Sequence, residues 1–278
     1  MEPVRTELIV TTYQNPRALG LSLASVARLD PAPGSIAIAD DGSGPETRAV
    51  VEAFAAEAAT PVRHVWHEDS GFRKNAILNR AIASSEADFL VFIDGDVLVR
   101  PDYLGHHLRL ARTDRWSSGS LIRLDAAASA AVTEALVASG RVFERDWLHA
   151  HGAVDRFGTW LKTRPLPGPL LEAFDRLTPV QKAWGGANAS AFRSALLAVN
   201  GFDEAMRYGG EDKELGVRLT NAGMHGQHLR YVASVVHLDH ARGYVDHAVI
   251  AANKARIAEV RRTGRTWAED GIAKGEAE

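Results

Sequence analysis

The chain has 278 residues, 46% hydrophobic and 24% charged, with no cysteine and a formal net charge of −3. This composition is typical of a soluble globular protein, and the length favours one elaborated α/β domain. The slightly acidic balance gives no sign of a nucleic-acid partner, and the lack of cysteine excludes disulfides, thiol nucleophiles and cysteine-ligated metal sites.

The N-terminal segment predicts neither a secretory signal nor a membrane span. Its apolar run, within MEPVRTELIVTTYQNP (1–16), is only a few residues long, and no later stretch approaches the roughly 20 apolar residues of a spanning helix. We therefore expect a cytoplasmic protein. The sequence leaves peripheral membrane contact and the oligomeric state open.

Alternating β-rich and helical runs occupy the first hundred residues. Four short apolar runs predict strands, at 7–12, 35–40, 62–67 and 88–94. The stretches between them predict helices, at about 16–29, 45–59 and 73–84. This alternation predicts a parallel sheet with helices on its faces and a ligand site beyond the carboxyl ends of the strands.

The middle of the chain has a less regular pattern. It predicts a helix from Pro101, a strand over 117–124 and an Ala-rich helix over 125–140. A mixed, proline-containing segment with Trp147 and Trp160 follows, and it predicts a mobile loop or a lid.

The last hundred residues return to regular elements. A turn into a short strand is predicted over 184–193, followed by a helix that stops at Gly201 and a helix over 211–223. A strand over 229–240 and a final helix over 244–264 complete the predicted elements.

Two carboxylates flank a glycine at the end of the fourth predicted strand. Asp94 and Asp96 can direct hard oxygen ligands to one point, which suits Mg²⁺ or Mn²⁺ held jointly with a diphosphate. A polar turn that closes the strand is the other interpretation. His237 or His240, after the last predicted strand, can complete a mixed oxygen and nitrogen site, which favours Mn²⁺.

Charged residues also stand at two strand-to-helix junctions. Asp40 and Asp41, in ADDGSG, either cap the next helix or accept hydrogen bonds from a base or ribose. Arg73 and Lys74 begin a predicted helix, where cations oppose the helix dipole. They are either solvated surface cations or groups that face a bound anion such as a diphosphate.

Glu211 and Asp212 follow two glycines at the start of the helix predicted over 211–223. Acids in the first turn are stabilised by the helix dipole, so the simplest interpretation is a helix start. The same dipole keeps a carboxylate ionised, which makes Asp212 a candidate general base as well.

Together these motifs resemble those of the family 2 glycosyltransferases of the GT-A fold, and the C-terminal half resembles the catalytic region of the β-1,4-galactosyltransferases. The resemblance covers about 7–110 and 183–242 and is carried by VTTYQNP, ADDGSG, GFRKNAILNRAI, FIDGDVLVRP, WGGANASAFR and NGFDEAMRYGGEDKELGVRLTNAGM. It implies an α/β GT-A (Rossmann-like) fold, with a mostly parallel central sheet flanked by helices and a helical insertion. The implied parts are the nucleotide-binding half of a single GT-A domain (1–110), a helical and loop insertion (111–182), the acceptor-binding and catalytic half (183–244) and a C-terminal helix and tail (245–278).

The resemblance also implies roles for individual residues. The nucleotide and donor sugar are expected to contact Thr12, Tyr13, Asp40, Asp41, Arg73, Lys74, Asp94, Gly185 and Gly186. The metal is expected at Asp96 and Asp94, together with His237 or His240. The acceptor is expected at Trp184 and Tyr208, and catalysis at Asp212 as general base with Glu211 as its partner.

The implied reaction is the metal-dependent, inverting transfer of a sugar from a UDP-sugar to a hydroxyl of a glycan or lipid-linked acceptor, with Mn²⁺ or Mg²⁺ as cofactor. Such an enzyme acts in polysaccharide or glycoconjugate biosynthesis. The alternatives are a non-catalytic nucleotide-sugar-binding protein and a sugar nucleotidyltransferase, although the latter is expected to carry a Gly-rich basic loop after its first strand. Two departures leave the donor and acceptor undetermined: the galactosyltransferases usually have Arg where Lys74 stands and Trp where Tyr208 stands.

Overall fold

A computed structural model of the chain describes residues 4–154, 157–163, 166–240 and 246–274. Strands form where short apolar runs are bounded by glycine, proline or acidic residues. The strands are β1 (Thr6–Thr12), β2 (Ser35–Asp40), β3 (Val62–Trp66), β4 (Phe89–Asp94), β5 (Val97–Leu98), β6 (Arg115–Gly119), β7 (Leu121–Arg123), β8 (Asn188–Phe192), β9 (His225–Leu229) and β10 (Val235–His237).

Helices connect most of these strands, and a 3₁₀ turn spans Arg141–Phe143. The α-helices are α1 (Pro16–Val26), α2 (Pro45–Glu57), α3 (Lys74–Ala83), α4 (Tyr103–Leu110), α5 (Ala126–Ala131), α6 (Glu134–Ala138), α7 (Arg145–Ala150), α8 (Phe157–Lys162), α9 (Gly168–Leu177), α10 (Arg193–Ala198), α11 (Glu211–Asn221) and α12 (His247–Thr263). Within the described ranges, none of these helices combines the length and apolar character needed to cross a bilayer.

The central sheet of the described chain has seven strands in the order β3-β2-β1-β4-β8-β6-β9. Strands β3, β2, β1 and β4 run parallel to one another. Strand β8 lies antiparallel between β4 and β6, and β9 runs parallel to β6. This arrangement confirms the predicted α/β class with a mostly parallel central sheet flanked by helices.

A second, three-stranded sheet joins the two halves of the chain in the order β5-β10-β7. In its register His237 stands opposite Val97 on one side and opposite Arg123 on the other. The backbone N–H of Leu238 donates to the carbonyl of Asp96 at 2.9 Å. The small sheet therefore brings the end of the D-x-D motif beside the histidines that follow β10.

The apolar core divides between the two faces of the central sheet, because successive side chains of a strand point to opposite faces. In β1, Leu8 and Val10 pack with α1 and α4, whereas Ile9 packs with residues of α3 and α11. All three side chains are fully buried. A strand with apolar residues on both sides is typical of a parallel sheet covered by helices.

Two of the predicted strands are each divided in the structure. The run 117–124 forms β6 and β7, which belong to different sheets, and Ser120 lies between them. The run 229–240 is interrupted after β9 by a turn in which the Ala233 N–H donates to the Leu229 carbonyl. Asp175 stabilises this turn by accepting the backbone N–H of Tyr231 at 2.9 Å.

The Ala-rich helix predicted over 125–140 is also divided. Val132, at the end of α5, has an extended backbone, and Thr133 caps α6 by accepting the N–H of Leu136 with its side chain. A threonine side chain that caps a new helix competes with continuation of the previous one. The sequence prediction gave greater weight to alanine content than to this local cap.

The segment 111–182 is only partly an insertion. Helices α5–α9 agree with its predicted helical character, but β6 lies inside the central sheet between β8 and β9. Residues 164–165 of the proline-containing run, 244–245 of the last predicted helix and 275–278 of the tail lie outside the described residues.

Candidate active site

One cleft, with a volume of about 880 Å³, opens at the carboxyl ends of β1 and β4. The start of α11, the segment before β8 and the end of β10 also contribute to it. The residues predicted for the site that line this cleft are Thr12, Tyr13, Asp41, Lys74, Asp94, Asp96, Gly185, Gly186, Tyr208, Glu211, Asp212, His237 and His240. The fold therefore brings together groups that are more than a hundred positions apart in the sequence.

Asp96, His237 and His240 form a triad suited to a metal ion. One ligand atom from each lies within 4.8 Å of the others. The Nε2 atoms of His237 and His240 are 3.7 and 3.3 Å from the Asp96 carboxylate oxygens. The triad supplies the mixed oxygen and nitrogen donors expected of a Mn²⁺ site.

The burial, hydrogen bonding and pKa shifts of these side chains indicate whether they fit a cation. The Oδ1 atom of Asp96 is buried and accepts no hydrogen bond among the described residues. Burial and the nearby charge of Asp94 raise the pKa of Asp96. Burial also lowers the pKa of His237, which favours the neutral imidazole that binds metals. A buried carboxylate without a compensating partner is costly, so Asp96 beside the neutral imidazole of His237 fits a divalent cation.

Asp94 stands apart from the triad. Its Oδ1 accepts a hydrogen bond from the Lys74 ammonium at 2.8 Å. Burial disfavours the charged lysine, but the charges of Asp94, Asp212 and Glu211 outweigh burial and raise the pKa of Lys74. The D-x-D motif thus directs one acid to the metal triad and the other to Lys74, so Asp94 does not join the group predicted to bind metal.

Asp212 lies in the first turn of α11, close to this lysine. Its Oδ2 accepts the backbone N–H of Gly186 at 2.9 Å, whereas its buried Oδ1 has no hydrogen-bond partner in the described ranges. Burial, reinforced by the charge of Asp94 and opposed by Lys74, raises the pKa of Asp212. Asp212 lines the cleft, and a carboxylate held by one oxygen, with no hydrogen-bond partner for the other among the described residues, suits the role of a general base.

The close approach of Gly186 to Asp212 gives a specific prediction. A Cβ atom at this glycine would lie 2.9 and 3.0 Å from the two Asp212 oxygens. We expect Gly186→Ala to displace the carboxylate and reduce turnover by about 100-fold, since a shift of about 1 Å in a reacting group has an effect of that size.

Gly20→Ala, in α1, is the matched control for this experiment. A Cβ at Gly20 would lie 3.9 Å from Val50 Cγ1, an ordinary contact away from the cleft. Steady-state kinetics and nucleotide binding should be measured for both variants. Equal losses in the two would contradict a specific role for the Gly186–Asp212 contact.

Glu211 begins α11 and is held by the turn before it. Gly209 and Gly210 have φ values of +113° and +109°, which favour glycine, and the Gly209 N–H donates to Glu211 Oε2 at 2.7 Å. Burial and the charge of Asp212 raise the pKa of Glu211 to about 7. Glu211 and Asp212 therefore compete for ionisation beside Lys74.

This raised pKa predicts a pH-dependent stability. Between pH about 4.5 and 7 folded Glu211 retains a proton that the unfolded chain has lost, so the free energy of unfolding falls as pH rises through that window. Glu211→Gln removes this contribution. We expect its denaturant midpoint to fall less than that of the wild type from pH 5 to 8, by the equivalent of about 1–3 kcal/mol.

Glu259→Gln, on the exposed face of α12, is the control for this pH series. It makes the same chemical change at a solvated position. If Glu211→Gln and Glu259→Gln leave the wild-type pH profile equally unchanged, the raised pKa of Glu211 is wrong.

The two aspartates after β2 have different surroundings. Asp41 lines the cleft and accepts hydrogen bonds from His67 Nε2 at 2.7 Å and the Arg73 N–H at 3.0 Å. Asp40 is fully buried below the cleft, and its oxygens bond to the Ser43 N–H at 2.8 Å and to His64 at 2.9 Å. The predicted nucleotide contact of Asp40 is therefore corrected to a supporting role in the turn.

The structure also corrects the positions of two other residues. Trp184 is 1% exposed and packs against Phe92 and Trp116, so its ring cannot contact an acceptor. Arg73 faces a second cavity of about 590 Å³, which we call the side cavity, and not the cleft itself. Tyr208 borders both spaces and meets Phe72 edge-on at 5.9 Å.

Two site residues were missed by the sequence prediction. Arg123 lines the cleft at the end of β7, and His67 holds Asp41. His67 ends the third predicted strand, so the rule that ligands lie beyond strand ends indicates it. Arg123 is harder to identify from the sequence. It lies within the strand predicted over 117–124, and nothing in that pattern indicates that this strand ends in the cleft.

Comparisons with protein families agree with the two regions of resemblance. Residues 7–120 match the model described as glycosyl transferase family 2, and residues 170–241 match the one described as N-terminal domain of galactosyltransferase. These matches confirm the predicted resemblance to family 2 glycosyltransferases, and to galactosyltransferases in the C-terminal half.

Two curated relatives are validoxylamine A glucosyltransferases from Streptomyces hygroscopicus, subsp. limoneus and subsp. jinggangensis. They are 29% and 28% identical to this chain over 233 residues. The alignments cover 76% of this chain but 47% and 50% of the relatives. The chain thus spans about half the length of the curated relatives it matches.

Solved structures share the fold at low sequence identity. Mannosyltransferase PcManGT from Pyrobaculum calidifontis, in complex with GDP-Man and Mn²⁺, has a TM-score of 0.62 and 18% identity, covering 94% of this chain and 65% of that one. S. aureus TarS has a TM-score of 0.59 and 15% identity, covering 92% of this chain and 39% of that one. These likenesses establish the GT-A fold.

Proposed function

We propose that this chain, with its family 2 glycosyltransferase match and GT-A fold, transfers a sugar from a UDP-sugar to an acceptor hydroxyl with inversion. The observation that carries the proposal is the meeting of the metal-fitting triad and Asp212 in one cleft. A nucleotide-binding protein without turnover needs no unpaired carboxylate in the cleft. The Asp212 Oδ1 atom is such a group, because it has no hydrogen-bond partner in the described ranges.

The donor end of the cleft is supported by the triad of Asp96, His237 and His240. A divalent cation held there, Mn²⁺ or Mg²⁺, would neutralise charge that develops on the departing diphosphate. The similar fold of PcManGT was solved with GDP-Man and Mn²⁺, which supports the use of a divalent metal with a nucleotide-sugar. Asp41, Thr12 and Tyr13 also line the cleft, and Asp41 is our candidate for contact with the nucleoside.

Asp212 is the proposed general base at the sugar-transfer point. As the acceptor oxygen bonds to the anomeric carbon and the bond to the diphosphate breaks, the hydroxyl proton passes to Asp212 Oδ1. The Gly186 N–H holds the other oxygen in place, and Lys74 favours the ionised carboxylate. One displacement at the anomeric carbon inverts its configuration, and no covalent nucleophile is required.

The acceptor is proposed to enter beside Tyr208, which borders both the cleft and the side cavity. A glycan or lipid-linked acceptor remains the prediction from the sequence, as does a cytoplasmic location, and peripheral membrane contact stays open. The names of the two curated relatives describe the transfer of glucose to validoxylamine A. Validoxylamine A and UDP-glucose therefore belong in the first assay.

A donor screen tests the proposal. The chain is incubated with UDP- and GDP-sugars, with Mn²⁺ or with EDTA, and nucleotide release and the mass of the product are measured. We expect UDP release that depends on Mn²⁺ and on an acceptor. Nucleotide binding without release would indicate a binding protein, and pyrophosphate formation from UTP and a sugar 1-phosphate would indicate a nucleotidyltransferase.

A further inference from the structure

The cations of the cleft differ in how much of their charge is already balanced. Lys74 bonds to Asp94 at 2.8 Å and also lies in the field of Asp212 and Glu211. Three carboxylates thus surround one ammonium. A diphosphate placed beside Lys74 would meet more negative charge than positive, so Lys74 is poorly suited to the phosphate contact predicted for it.

Arg123 has the opposite surroundings. It ends β7, is exposed, and lines the cleft. In the register of the small sheet it stands opposite His237 of the metal triad. Within the described ranges its guanidinium makes no hydrogen bond or ion pair. An unpaired guanidinium therefore lies next to the place where a metal-bound diphosphate is proposed to sit.

Further cations lie behind Arg123. Lys162 is 8% exposed and donates to the carbonyl of Leu121, two residues before Arg123. Burial and the charges of Arg230 and Arg123 lower the pKa of Lys162 to about 8. The Nε atom of Arg230 is buried without a hydrogen-bond partner in the part of the chain described. Lys162 therefore lies in the field of two other cations, Arg230 and Arg123, and this group adds positive charge near the cleft at Arg123.

We infer that Arg123 binds the diphosphate of the nucleotide-sugar donor beside the metal triad. The inference rests on the proposed function. A guanidinium offers two parallel N–H groups that match a phosphate, whereas a lysine provides a single point charge. Because the diphosphate is common to UDP and GDP donors, the assignment does not depend on the base.

Calorimetric titration of UDP and of uridine into the wild type, Arg123→Ala and Arg123→Lys tests the inference. A hydrogen bond to a charged group contributes about 1.5–3 kcal/mol, so we expect Arg123→Ala to weaken UDP binding by about 10- to 100-fold. Uridine, which lacks phosphate, should bind the variant and the wild type equally. Arg123→Lys should restore part of the loss. Arg145→Ala, which removes an exposed arginine on α7, is the charge-matched control.

Titrations in EDTA separate a direct phosphate contact from an effect through the neighbouring triad. A direct contact predicts weaker UDP binding by Arg123→Ala both with Mn²⁺ and in EDTA. A loss seen only with Mn²⁺ would assign Arg123 to positioning His237 and overturn the inference. Equal weakening of uridine and UDP, or unchanged UDP binding, would also overturn it.

The outcomes for the two proposals are distinguishable. If the wild type binds UDP or GDP but transfers no sugar, the proposed function fails and the assignment of Arg123 is still decided by its own titration. If UDP does not bind but GDP does, GDP and guanosine replace UDP and uridine in the same series. If neither nucleotide binds the wild type, both proposals are wrong.

Discussion

Asp212→Asn is expected to reduce sugar transfer by about 10²- to 10⁴-fold, the usual contribution of a general base. The amide oxygen can still accept the Gly186 N–H that now bonds to Oδ2 at 2.9 Å, so the shape of the site should be kept. What is lost is the basic Oδ1, which is buried and has no hydrogen-bond partner among the described residues. The effect should therefore appear in turnover.

Nucleotide binding should change little in this variant. Lys74 retains Asp94 and Glu211 as partners when Asp212 becomes neutral, so this lysine keeps carboxylates beside its ammonium. The measurements are kcat with the best donor from the screen and the Kd of UDP by calorimetry. Asp114→Asn makes the same chemical change at a carboxylate that is 59% exposed and serves as control.

Two results would contradict this role of Asp212. Activity near the wild-type value would exclude it as the base and make Glu211 the next candidate, since its pKa is raised to about 7. Loss of UDP affinity equal to the loss of turnover would instead show that Asp212 shapes the donor site. The Gly186→Ala variant should resemble Asp212→Asn if the base depends on that single backbone contact.

Asp96→Ala is expected to remove the part of UDP affinity that depends on Mn²⁺. Asp96 contributes the only carboxylate of the triad, and its Oδ1 lies buried without a hydrogen-bond partner in the described ranges. Removing a group that only supports a metal ligand lowers metal affinity by about 10- to 100-fold. Removing the ligand itself should therefore lower metal affinity by at least as much. We expect UDP affinity in EDTA to stay unchanged.

Paramagnetic resonance of Mn²⁺ provides a measurement that does not depend on activity. Free Mn²⁺ is titrated with the wild type, Asp96→Ala, His237→Ala and His240→Ala, each with UDP present. Asp102→Ala is the matched control, because that carboxylate also bonds to a histidine, His106, at 3.2 Å, but is 58% exposed. The histidine whose removal weakens Mn²⁺ binding more is the stronger ligand.

Undiminished Mn²⁺ binding by Asp96→Ala would remove the triad as the metal site. The two variants also separate two parts of the proposed reaction. Asp96→Ala should weaken donor binding and leave the protonation chemistry of the cleft intact, whereas Asp212→Asn should do the reverse. A similar phenotype for both would contradict separate roles, because their carboxylates are proposed to act on opposite partners in the transfer.

Several features of the fold could be predicted because they depend on local patterns. Short apolar runs ending in TTY, ADDGS and FIDGD predicted β1, β2 and β4, and the intervening helices predicted that these strands are parallel. Parallel strands end at one edge of a sheet, so acids after them were expected to meet. The start of α11 was likewise indicated by two glycines and two acids.

Predictions failed where a neighbour distant in sequence determined the outcome. Asp40 and Asp41 are adjacent in the sequence, but they have different surroundings. Asp40 bonds to His64 and Ser43, and only Asp41 lines the cleft. The strand predicted over 229–240 is broken by a turn that Asp175 supports from α9. Trp184 was expected at the acceptor from the family resemblance, yet it packs in the core.

The sequence by itself determined the α/β class, the position of the strand ends and the acids and histidines available to a site, because periodicity and turn chemistry are local properties. Only the tertiary structure decided how these groups are divided. It turned Asp94 toward Lys74 and Asp96 toward His237 and His240, and it left the Arg123 guanidinium in the cleft without a hydrogen-bond or ion-pair partner among the described residues. Burial and strand register decide which charged groups lie within a few ångströms of one another. These distances depend on how elements far apart in the chain pack together, so the sequence pattern alone does not determine them.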